Sequence, residues 1–90
     1  MVSKKVKVIN PSGLHLRPAG VLSNAAVKFE GCAITFRFGN VSGNAKSVLS
    51  VLGACVSCGD ELEFTCKGKN EEQALETIVS LIESGLGEEI

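Results

Sequence analysis

Within 90 residues the hydrophobic period of this chain switches repeatedly between two and about 3.6, so strands and helices must alternate in one small unit. Val6 and Val8 alternate with Lys5 and Lys7, which predicts a strand with one solvated face; Lys4, Lys5 and Lys7 read as that face rather than as a polybasic anchor. Asn10-Pro11-Ser12-Gly13 is a turn cluster. A helix is expected next: Ala19, Leu22, Ala26 and Phe29 recur at spacings of three and four, Pro18 falls in the first turn, and Gly31 is placed to end it. Ile34, Phe36 and Phe38 alternate with Ala33, Thr35 and Arg37 as a second strand. Gly39-Asn40 suits a hairpin turn into a short third strand over Val41 to Gly43, weakened by Gly43. Ser47 is a good N-cap for a short helix carrying Val48, Leu49, Val51 and Leu52, closed by Gly53. Leu62, Phe64 and Cys66 mark a fourth strand. Asn70 and Gln73 have the spacing of a capping box for a last helix, whose apolar face is Leu75, Ile78, Val79 and Ile82 and whose end is Gly85.

The order β-α-β-β-α-β-α, with each strand apolar on one face only, predicts an α+β fold. The expected architecture is a two-layer open-faced sandwich: a four-stranded antiparallel sheet covered on one face by three helices. One domain should span residues 1–90. The apolar content of 44% suffices for one modest core, built mainly from aliphatic side chains because only 4% is aromatic. A net charge of -1, with no basic stripe and no aromatic platform, argues against nucleic-acid binding. No apolar run approaches the ~20 residues of a membrane span, and Met1 to Lys5 lacks the apolar stretch of a signal peptide. The expectation is a cytoplasmic monomer.

His15 is the only histidine. It follows the turn and opens the first helix, so it should occupy the N-cap, where unpaired amides and the positive end of the macrodipole favour an anion. Arg17 adds donors that fit phosphate oxygens. An imidazole must be neutral to attack phosphorus, and positive surroundings favour that form. They also attract the phosphoryl oxygens after transfer. A histidine in isolation most often only caps a helix, so the neighbours decide. No cofactor and no metal is called for by this chemistry.

The run Gly13-Leu14-His15-Leu16-Arg17-Pro18-Ala19 closely resembles the active-site signature of HPr, the histidine-containing phosphocarrier family of the phosphoenolpyruvate-dependent sugar phosphotransferase system. The resemblance extends over nearly the whole chain. It implies that His15 takes a phosphoryl group on Nδ1 from phosphorylated enzyme I and passes it to IIA domains of sugar permeases, with Arg17 assisting the phosphorylated state. On that reading the chain is a carrier rather than an enzyme. Leu16 stands where the family usually has Ala, and Gly20 follows Ala19; both bear on partner preference rather than on the chemistry.

Asn44-Ala45-Lys46-Ser47-Val48-Leu49 is similar to the regulatory serine region of Gram-positive HPr proteins. That similarity implies modification of Ser47 by HPr kinase/phosphorylase, with Ser50 a secondary candidate, and corepressor binding to catabolite control protein A. A phosphate there would place about -1.5 to -2 of charge beside the apolar surface of Val48, Leu49 and Leu52 and oppose docking of enzyme I. A purely regulatory relative acting through Ser47 is one alternative. A thiol or metal module is another, because Cys55-Val56-Ser57-Cys58 is a C-x-x-C. Cys32 and Cys66, far apart in sequence, read instead as small core residues.

Overall fold

A computed structural model describes residues 1–88. Its strands are β1 (Val2–Lys7), β2 (Cys32–Phe38), β3 (Val41–Asn44) and β4 (Glu61–Gly68), and its helices α1 (Leu16–Val27), α2 (Val48–Gly53) and α3 (Glu71–Glu83), in the expected order. The sheet runs β1-β4-β2-β3, and every neighbouring pair is antiparallel. Strand β4 therefore slots between β1 and β2, which never touch in register. The period-two pattern explains the single wet face. Val6, Cys32, Ile34, Phe36, Leu62, Phe64 and Cys66 point inward and are buried with Leu22, Ala26, Ile78 and Ile82 of the helices. On the outer face Lys7 stands opposite Glu61, and Lys5 and Arg37 flank Glu63. Such a charge ladder belongs in water.

Gly43 does not weaken β3 as its composition suggests. It pairs with Phe36, and a Cβ there would lie 2.5 Å from that ring's Cζ, so the missing side chain makes room for the Phe36 ring, which lies 6.3 Å from Phe64 between centroids. The hairpin turn is Gly39-Asn40, with Gly39 at φ +59°.

Two helix ends differ from the sequence expectation. Helix α1 stops at Val27, short of Gly31: the amides of Lys28 and Phe29 bond three residues back, to Ala25 and Ala26, which tightens the chain out of the helix. Gly31, at φ +75°, instead makes the step into β2, and Phe29 packs half-buried from the turn. Helix α2 closes at Gly53 as expected, and the left-handed position follows at Cys55, φ +56°. Asn70 precedes α3, but at φ +57° it is left-handed and its side chain caps nothing, because a capping box requires an extended N-cap. Glu71 takes over, accepting a bond from the Gly68 amide at 3.1 Å. Ala74 is buried on α3, and Leu75 only half-buried. At the other end Gly85 behaves as expected: its amide bonds Ile82 and the Leu86 amide bonds Leu81, a Schellman stop.

Candidate functional site

The site grows from the turn after β1. Val8 is tied to the loop before β4 on both sides, its amide to Asp60 (2.8 Å) and its carbonyl to the Gly59 amide (2.7 Å). The chain then reverses: the Gly13 amide bonds the Asn10 carbonyl (3.1 Å), and the Leu14 amide bonds Val56 (2.9 Å). Gly13 sits at φ +64°, and a Cβ on it would lie 2.6 Å from the Val56 carbonyl oxygen. Only glycine supplies both the left-handed backbone and that close approach. Buried Leu14 then anchors the entry to α1.

His15 occupies the N-cap of α1 with extended backbone, and its imidazole caps no amide. It is exposed. The first helical bond runs from the Ala19 amide to the His15 carbonyl at 2.8 Å. Pro18 has no N–H, so the first-turn donors open to an outside acceptor are the amides of Leu16 and Arg17. Arg17 is exposed in the same turn. Among the described residues the only ion pair joins the N-terminal ammonium to Glu71, so the guanidinium is in no ion pair. An exposed imidazole, an exposed arginine and two open amides therefore share the first turn, at the positive end of one dipole.

Beside the imidazole lies a shallow concavity of about 280 Å³, lined by Leu14, His15, Leu52, Cys55, Val56 and Ser57. Leu52 thus brings α2 to the concavity beside the histidine. The other candidates do not line it: Leu16 is 71% and Leu49 82% exposed, while Val48 and Gly20 are half-buried. Two large aliphatic side chains left almost wholly in water, on helices that pack together, are unusual for a chain with so small a core. Ser47 caps α2, its Oγ accepting from the Ser50 amide at 3.3 Å. It does not line the concavity.

The four cysteines separate into two unlike pairs. Cys32 and Cys66 are buried, and although distant in sequence they lie on neighbouring strands, β2 and β4. Burial, with the Cys32 thiol beside it, pushes the Cys66 thiol up to about 11, so it stays protonated and inert. Cys55 and Cys58 are exposed at the far end of α2. Four thiolates cannot converge across the core. Among the described residues no group of three or more His, Cys, Asp or Glu side chains is placed to hold a metal ion.

One participant was missed by sequence reasoning. Glu88, beyond α3, folds back over the turn. Its Oε1 accepts from Asn10 Nδ2 (2.8 Å) and from the Ser12 amide (3.2 Å), and its Oε2 accepts from Ser12 Oγ (2.7 Å). Asn10 is buried, and its Nδ2 also donates to the Gly13 carbonyl at 2.7 Å. Its Oδ1 accepts no bond among the described residues, so the two acceptors at Nδ2 fix the amide's orientation. Bonds from Asn10 and then Ser12 hold the Glu88 carboxyl below the usual carboxylate range, with a smaller push from the Arg17 charge.

Known proteins carry the same pattern. Residues 2–84 match the family model described as the PTS HPr component phosphorylation site. Phosphocarrier protein HPr of Treponema pallidum is 37% identical over 99% of this chain and 100% of its own length. The HPr of Lysinibacillus sphaericus is 35% identical over 98% of this chain and 100% of its own. A crystal structure of HPr from Thermoanaerobacter tengcongensis superposes with a TM-score of 0.95 at 36% identity, covering both chains completely.

Proposed function

The chain belongs to the HPr family of the phosphotransferase system, and on that premise we propose that His15 is the residue that carries the phosphoryl group. As a family member the chain is a phosphoryl carrier rather than an enzyme in its own right, and its partners are components of that system. Neutral His15 attacks phosphorus through Nδ1. The phosphorus–donor bond on enzyme I breaks as the N–P bond forms, and the reverse exchange delivers the group to a IIA domain. The observation that carries this reading is the exposed, uncapped imidazole at the N-cap, with two open amides and exposed Arg17 in the turn that follows. A helix terminus is worth only ~0.3–1 kcal/mol at an exposed position, enough to orient phosphoryl oxygens without trapping them. Leu16, Gly20, Val48, Leu49 and Leu52 form the docking surface. Discharge tests the reading: chain phosphorylated by enzyme I loses its phosphate to an added IIA domain within the mixing time, whereas retention of the phosphate contradicts carriage.

Ser47 is the regulatory position, modified by HPr kinase/phosphorylase and read by catabolite control protein A. Its support is the N-cap geometry next to exposed Leu49: a phosphate there meets helix amides and leaves the fold intact, yet puts charge at the rim of the docking surface. Ser47→Asp should raise the KM for enzyme I about tenfold, roughly 1.4 kcal/mol, with an unchanged circular dichroism spectrum, because aspartate is itself a good N-cap. Transfer as fast as in the parent protein would remove regulation by charge. The carrier works as a monomer in the cytoplasm and as one domain over residues 1–90, of which 89 and 90 lie outside the described residues. No helix among the described residues is long and apolar enough to cross a membrane.

A further inference from the structure

The turn that aims His15 is held from outside the elements that flank it. Asn10, Ser12 and Gly13 lie two to five residues before the histidine, and every side-chain bond that fixes them converges on Glu88 or on Asn10 itself. We propose that Glu88 is a positioning residue for phosphoryl transfer: its carboxylate clamps Ser12 and Asn10 and so fixes the direction in which Gly13, Leu14 and His15 leave the turn. This rests on His15 being the acceptor.

The chemistry of the clamp requires a carboxylate. Three donors meet it, an amide N–H, a hydroxyl and a side-chain amide, and only an ionised carboxylate offers two oxygens to accept all three. The Glu88 side chain is half-buried, so water competes for part of this network but does not replace it. Gly13 cannot stiffen the turn by its own side chain, and Pro11 leaves that residue without an amide donor. Without Glu88, Asn10 keeps its bond to the Gly13 carbonyl, while the Ser12 amide and hydroxyl lose their partner. The turn then samples other directions and the imidazole meets the donor's phosphorus in line less often. A displacement of about 1 Å is enough to slow a transfer severely, by up to about a hundredfold.

Glu88→Ala should therefore lower kcat for phosphorylation by enzyme I roughly tenfold while leaving the KM for enzyme I unchanged, because the exposed leucines of the docking surface are untouched. Thermal melting shows whether the variant is folded. If it is not, Glu88→Gln, which keeps one oxygen for Asn10 and the Ser12 amide, is measured in its place and should lose about threefold. A structural role alone would not predict the second readout, a double-variant cycle. Ser12→Ala combined with Glu88→Ala should lose no more than the worse single variant, since both break the same clamp. Parent-like kcat in the folded Glu88 variant, a change confined to KM, or strictly additive losses would each overturn the proposal. Failure of the parent chain itself to take phosphate on His15 would instead overturn the reading on which it rests.

Discussion

His15→Ala should abolish phosphorylation by enzyme I and phosphoenolpyruvate while leaving the melting temperature nearly unchanged. The imidazole is exposed and caps no amide, so its removal breaks no hydrogen bond and opens no cavity. Surface substitutions of that kind usually move stability by no more than ~0.5 kcal/mol. The chemical effect is total because no second histidine is present to take over. The exposed thiol of Cys55 shares the concavity, and a phosphate appearing there in the variant would show that the site, not the imidazole, selects the acceptor. Incorporation of radiolabelled phosphate measures the loss, and persistent acid-labile label in the variant contradicts the assignment.

A large fall in stability should come from Gly13→Ala. The new Cβ would stand 2.6 Å from the Val56 carbonyl oxygen and 2.8 Å from the Ser57 Cα, both backbone atoms that cannot swing aside. A left-handed backbone costs an L-residue ~1–2 kcal/mol, and overpacking adds ~1–3 kcal/mol. The sum, about 2–5 kcal/mol, corresponds to a fall in melting temperature of roughly 8–40 °C for a chain of this size. The Leu14–Val56 bond moves with it, so transfer to His15 should slow even at temperatures where the variant is folded. Gly20→Ala is the control. It lies within α1, its Cβ would meet nothing within 4 Å, and it should gain ~0.5–1 kcal/mol. Equal melting temperatures for the two variants would contradict the close packing of the turn.

Much of this architecture is written in hydrophobic period. Strands β1, β2 and β4 and the buried faces of α1 and α3 follow from which residues alternate or recur every third or fourth position. What period cannot carry is the conformation at element ends. Asn70 has the composition of a capping box, but its left-handed backbone is set by the tight passage from β4 into α3. Gly31 looks like a helix stop, whereas bonds to the third residue back end α1 at Val27. Gly43 looks like a defect until its partner across the strand pair is known to be Phe36. Its value is a property of the pairing and not of the segment.

The site divides in the same way. His15, Arg17 and the helix start are contiguous, so the chain itself brings the chemical groups together. Leu52 needs only the packing of α2 on α1. Glu88 stands 73 positions from the imidazole, and its nearest partners Asn10 and Ser12 are ordinary turn residues. No local signal marks it, because the clamp exists only once the segment after α3 has folded back. Cys55 presents the reverse case. Its spacing to Cys58 suggests a metal pair, yet in space it lines the same concavity as the histidine.

Chemical mapping of the phosphorylated protein tests the central claim most directly. The chain is incubated with enzyme I and phosphoenolpyruvate, digested at alkaline pH, and the modified peptide sequenced by mass spectrometry. A single phosphate on His15, stable in base and lost in acid, is the expected result. A phosphate that survives acid, or one located on a serine or cysteine with His15 unmodified, would contradict it.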